Sequence, residues 1–74
     1  MTRKQVINRL AELGFEDAET KYYEIKDFLY YNRTPIKAIR EITISDDSHE
    51  DTLYWTVHCW LTDSNGNDWG SVEV

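Results

Sequence analysis

The chain has no lysine or arginine after Arg40, and from Glu41 to Val74 every formally charged residue is an acid. Glu41, Asp46, Asp47, Glu50, Asp51, Asp63, Asp68 and Glu73 give that half a field that repels nucleic acid and anionic lipid and favours basic partners. Cysteine is nearly absent as well. The one residue, Cys59, cannot form an internal disulfide, so stability has to come from packing, which suits a reducing compartment and makes the cytoplasm the expected location. No apolar run approaches a bilayer-spanning length, and "MTRKQVINRL" is a polar amphipathic pattern without a secretory apolar core, so no membrane association is expected. A glycine-rich phosphate loop, paired cysteines and a serine in a strand-turn-helix elbow are all missing. A chain of 74 residues can rarely wall off a deep pocket. These absences predict a protein that is not an enzyme and carries no cofactor and no metal.

What is present is enough for one folded domain spanning residues 1–74, since a second core of this size would bury too little apolar surface. With 41% hydrophobic and 14% aromatic residues, the chain can close a core and intrinsic disorder is not expected. Thr2 and Gln5 have capping-box spacing. Val6, Ile7, Leu10 and Leu13 follow on one helical stripe, and Gly14 stands where a left-handed C-terminal cap belongs, with Phe15 placed to fold back on Leu10. From Asp17, the steps of four, three and four that link Ala18, Tyr22, Ile25 and Leu29 predict a second helix. Thr34 and Pro35 read as the N-cap and first residue of a short helical turn, which leads into a strand over about Arg40 to Ser45. Ile36, Ala38, Ile42 and Ile44 share the even face of that stretch. "DDSHED" is then a polar loop.

The last segment, "LYWTVHCWLTDSNGNDWGSVEV", holds all three tryptophans. Asn65-Gly66 is a strong hairpin signal of the type I′ class, in which both central residues take positive φ. Setting Ser64 opposite Asn67 pairs Leu61 with Gly70, Cys59 with Val72 and Val57 with Val74, which gathers the apolar residues on one face. Trp55 and Leu53 belong with that core face. The opposite face then carries Thr62 across from Trp69, Trp60 across from Ser71 and His58 across from Glu73, with Tyr54 farther along. This register makes Trp60 and Trp69 diagonal neighbours, either covered by the helices or open as a contact patch.

Several constellations have simpler readings. His58 and Cys59 point to opposite faces of a strand, so they cannot form a thiol dyad, and Cys59 is a small buried apolar residue. "DSNGNDWG" begins like a calcium loop with Asp63, Asn65 and Asn67, but Asp68 stands in place of the obligatory glycine and Val74 in place of the bidentate glutamate. The carboxylates around His49 lack a second nitrogen ligand.

The expected fold class is α+β: two N-terminal helices packed on a small antiparallel sheet of about three strands that ends in a β-hairpin. The expected function is a non-catalytic acidic protein-binding module, an inhibitor or adaptor that covers a basic, nucleic-acid-binding surface of a protein partner. Its contacts would come from Tyr54, Trp60 and Trp69 as apolar anchors and from Asp46, Asp47, Glu50, Asp51, Asp63 and Asp68 as steering charges. In size and charge the chain resembles the small acidic phage proteins that block host defence. A homodimer closed by the aromatic face or a free strand edge is the structural alternative. Arg33, Lys37 and Arg40 form a basic cluster on a possible short third helix, and two helices, that turn and a terminal hairpin resemble the outline of a winged-helix domain. The acidic hairpin tip argues against that second alternative, because phosphate contacts need lysine or arginine there.

Overall fold

The computed structural model describes residues 1–46 and 55–74, and of Asp46 and Trp55 the backbone alone. The expected polar loop, with Asp47, His49, Glu50 and Asp51, lies outside the described residues, as do Leu53, Tyr54 and the core placement of the Trp55 side chain. The elements run α1 (Arg3–Glu12), α2 (Ala18–Tyr31), a 3-10 turn (Ile36–Ala38), β1 (Ile39–Asp46), β2 (Trp55–Thr62) and β3 (Asp68–Glu73). The strands form one antiparallel sheet in the order β1-β2-β3, so the expected α+β arrangement is what the chain adopts.

Local chemistry sets both ends of each helix. The Thr2 hydroxyl accepts the Gln5 N–H at 3.2 Å while the Gln5 side chain accepts the Thr2 N–H at 2.9 Å, which completes the capping box of α1. At the other end Phe15 N–H donates to Leu10 C=O and Gly14 N–H to Ala11 C=O, both at 3.1 Å, with Gly14 at φ +101°. This is a Schellman motif with glycine in its left-handed position. Asp17 caps α2, and the hydroxyl and N–H of Thr20 bonded to its carboxylate lower its pKa. The same C-terminal motif closes α2, through Arg33 N–H to Tyr30 C=O (3.0 Å) and Thr34 N–H to Leu29 C=O (2.8 Å). Here the left-handed residue is Arg33, at φ +56°, where glycine is the usual choice. The expected N-cap shifts by one residue. Thr34 closes α2 with its N–H and gives its hydroxyl to Asn32 C=O, so Pro35 caps the 3-10 turn instead.

Val6 and Leu10 of α1 and Ala18, Tyr22, Ile25 and Leu29 of α2 are buried against Ile39, Ile42, Val57, Cys59 and Leu61 of the sheet. Both helices therefore cover one face. Ile39 is a core residue that strict alternation does not find, because the β1–β2 register shifts between Ile39 and Glu41. The extra residue is Arg40, and its insertion lets Ile39 and Ile42 face the same side.

The hairpin differs from expectation at its tip. Gly66 N–H bonds to Asp63 C=O (3.0 Å) and Asp63 N–H to Asn67 C=O (2.8 Å), which makes a three-residue loop. Gly66 alone takes positive φ (+81°), so Asn65 does not adopt the type I′ conformation. The cause is the Asp63 carboxylate, whose Oδ1 accepts the N–H groups of Asn65 (2.8 Å) and Asn67 (2.9 Å) and starts the turn one residue early. From Leu61–Gly70 through Cys59–Val72 to His58–Glu73 the pairing is as expected, but Thr62 pairs with Asp68 instead of Trp69. Trp69 is left over as a bulge beside Gly70, which sits at φ +122°.

Two backbone angles generate a stability prediction of opposite signs. A Cβ at Gly70 would meet nothing within 4 Å, so Gly70→Ala costs only backbone strain, about 1–2 kcal/mol. Arg33→Gly relieves the strained cap of α2 and adds about 0.5–1 kcal/mol. Urea denaturation of both variants measures each term. A second prediction concerns Cys59, fully buried, whose thiol pKa burial pushes up to about 11. At pH 8 only about one thiol in a thousand is ionised, so Ellman's reagent reacts with the native protein very slowly and with the urea-unfolded chain within minutes.

Candidate partner-binding groove

The helices lie on the core face, so the other face of the sheet is not covered by them, and its side chains satisfy one another laterally. Trp60 Nε1 donates to Thr43 Oγ1 at 2.9 Å, and His58 Nε2 lies 2.9 Å from Ser45 Oγ. His58 stands opposite Glu73 in the register as expected, yet the ring makes its hydrogen bond with the strand on its other side. Cys59 points into the core, away from this imidazole. Arg40 reaches over this face from β1: its guanidinium lies 5.6 Å from the Trp60 ring centroid, and its Nε is 3.0 Å from the Asp68 carboxylate of β3. Arg40, Trp60 and Asp68 thus bridge all three strands. Each contact is partly exposed and worth at most about 1 kcal/mol.

The bulge moves Trp69 off this face. Its side chain lines a groove of about 810 Å³ on the helix-covered side, together with Leu29 from the last turns of α2 and Leu61 and Val72 from the sheet. Trp60 and Trp69 are therefore not the diagonal neighbours that unbroken alternation predicts. Trp69 keeps 62% of its surface exposed. Arg33, Thr34, Pro35, Lys37 and Ala38 of the α2–β1 connection line the same groove. Thr62 holds the two walls together by donating its hydroxyl to Ala38 C=O at 3.3 Å. Tyr30 and Tyr31 at the end of α2, 77% and 84% exposed, flank Arg33 and Pro35 in an adjoining shallow depression.

The structure thus brings Trp69 and Asp63 to the groove and leaves Trp60 and Asp68 on the other face. Asp63 has one carboxylate oxygen committed to the turn, and Asp68 is paired with Arg40, so both acids at the hairpin tip have internal partners. Asp46 belongs to β1 by its backbone, and Asp47, Glu50, Asp51 and Tyr54 lie outside the described residues. The expected basic cluster also divides. Arg33 and Lys37 line the groove, whereas Arg40 has crossed to Trp60 and Asp68.

Tyr30, Tyr31 and Pro35 are surface features that sequence reasoning did not assign to a site, and Arg33 figured there only in the basic cluster of the winged-helix alternative. Their signal was present in two forms: tyrosines off the apolar stripe of α2, and a bulky residue where a helix C-terminus usually has glycine. Among the described residues no cluster of histidine, cysteine, aspartate or glutamate has the size to hold a metal ion. No family model, no curated protein and no solved structure matches this chain.

Proposed function

We propose that the protein is a non-catalytic binding module, an inhibitor or adaptor that works by occupying a partner protein through the groove beside Trp69. The observation that carries this reading is the placement of that residue: a large indole, mostly exposed, on the lip of a groove with an apolar floor. Tryptophan is among the residues most enriched at the energetic hot spots of protein interfaces, where it becomes fully desolvated on binding. Trp60 is the internal control, since its indole N–H is bonded to Thr43 and its ring is covered by Arg40. The net charge of −6 favours a partner with a basic surface and speeds encounter with it. A winged-helix mode finds less support, because its third helix is here a 3-10 turn of three residues, far too short to lie along a major groove.

The test begins with a partner recovered from host lysate on immobilised protein and identified, followed by calorimetric titration of purified variants. Trp69→Ala is expected to weaken binding about 30-fold or more, equivalent to about 2 kcal/mol, while changing folding stability by under about 0.5 kcal/mol. Trp60→Ala should do the reverse, lowering stability by about 1–3 kcal/mol and leaving the affinity of the folded fraction near that of the parent protein. Unchanged affinity of Trp69→Ala for the partner would remove the groove from the interface.

A further inference from the structure

The sheet has two edges, and side chains cover one of them at Ile42. Backbone bonding in an antiparallel ladder alternates, so every second residue of an edge strand turns its N–H and C=O away from its neighbour. On β1 one such residue is Ile42. Its N–H donates to the Glu41 carboxylate at 2.8 Å, and its C=O accepts from Arg9 Nε of α1 at 3.1 Å. Arg9 and Glu41 are themselves 3.0 Å apart, so a hydrogen-bonded ion pair lies over that edge.

β3 is arranged differently. Val74 N–H bonds to Val57 C=O at 2.9 Å, and with the pairing of Cys59 to Val72 this fixes Val72 and Val74 as the residues bonded to β2. Ser71 and Glu73 therefore turn their N–H and C=O groups outward. Among the described residues, nothing bonds those groups. The open edge also borders the groove, because Val72, between the two outward residues, and Trp69 at the start of β3 both line it.

We propose that β3 is a docking edge, on which an extended segment of a partner protein adds as a fourth strand with apolar side chains toward the groove and basic side chains on the other face. This rests on the reading of the groove as the partner site and states how it is filled. Main-chain bonds to Ser71 and Glu73 hold the segment, and its alternate side chains extend the apolar surface of Val72 beneath Trp69. The charges choose its chemistry. Glu73 is exposed, makes no ion pair among the described residues, and projects on the face away from the helices, where a cross-strand lysine or arginine would meet it. Arg33 and Lys37, which also make no ion pair among the described residues, line the groove and repel a basic side chain from that side. The two faces of the incoming strand are thereby distinguished. A second copy of this chain fits poorly, because its β3 carries Asp68 and Glu73 without a base, and each copy has a net charge of −6.

The test titrates the intact protein with an end-capped peptide of seven residues, alternating lysine and valine from lysine to lysine, and follows backbone amides by NMR and Trp69 by its indole resonance. Expected are slowed exchange at the Ser71 and Glu73 amides, a shifted Trp69 indole, and at least tenfold weaker binding by two controls. One replaces lysine with glutamate, and the other is N-methylated on the amides that face the edge. The variant Glu73→Lys should weaken the lysine peptide by a similar factor without unfolding the sheet. If Trp69 responds while Ser71 and Glu73 do not, the groove remains the partner site and strand addition is wrong. If the N-methylated peptide binds as well as the parent, or no amide of β3 responds to either peptide, the proposal is overturned. A doubling of mass in sedimentation that the lysine peptide does not reverse would assign the edge to a second copy and overturn it equally.

Discussion

Gly70 holds a φ of +122°, and the register break beside it decides on which face of the sheet Trp69 lies. Without the extra residue, alternation would set Trp69 across from Thr62, on the same face as Trp60, and the groove would lose one wall. With it, Asp68 stays on the face where Arg40 can reach it, and Trp69 passes to the side of α2. β1 has a matching irregularity at Arg40. The two extra residues flank the same end of β2, one placing a cation over Trp60 and the other withdrawing Trp69 from it. An amphipathic three-stranded sheet has been locally re-aimed by two insertions, a use of bulges well suited to building a surface at one end of a sheet.

Most of the architecture was legible because the signals that carry it are local. Thr2 with Gln5, Gly14, and the Ala18–Tyr22–Ile25–Leu29 stripe each act within a few residues of themselves, and the structure uses each as expected. The pairing from Leu61 to His58 was legible for another reason: a slip by one residue would turn Val72 away from the face that Cys59 and Leu61 share. The errors share a cause. Sequence alternation assumes an unbroken period of two, and each bulge resets that period without changing composition, so Ile39 was left out of the core face and Trp69 assigned to the wrong side. Likewise Asn65-Gly66 is a strong turn signal in isolation, yet the preceding Asp63 offers its carboxylate to two amides and starts the turn earlier. The groove was not legible at all. It joins the end of α2, the following turn and the hairpin, and none of these predicts its own distance from the others.

The acidic half of the chain is less free than its composition suggests. Asp68 and Glu41 are each paired with an arginine, and Asp63 is bonded within its own loop, so three of the carboxylates after Arg40 contribute to local structure as well as to the net field. Pairing leaves the total charge unchanged, and long-range attraction of a basic partner depends on that total. What pairing changes is which groups remain available at contact. Around the groove these are Arg33 and Lys37, cations in a protein of net charge −6. The far field and the contact surface therefore have opposite signs at this point, which favours a partner that is basic overall and apolar where it enters.

A small domain cannot cover everything it exposes. Two helices of ten and fourteen residues bury one face of a three-stranded sheet, and α1 also covers the β1 edge at Ile42 through Arg9, but neither supplies a group that bonds to Ser71 or Glu73. Unpaired strand edges invite association, and natural proteins usually blunt them with charge, bulges or short length. β3 has all three: six residues, a bulge at Trp69, and acids at both ends without a base. Those features discourage pairing between copies of this chain, since every copy brings the same charge. They discourage a basic strand much less, because Glu73 attracts it and the bulge, while interrupting the ladder at one end, is what places Trp69 beside the edge. The same acids that discourage pairing between copies would, on the strand-addition proposal, leave the edge open to a partner of opposite charge.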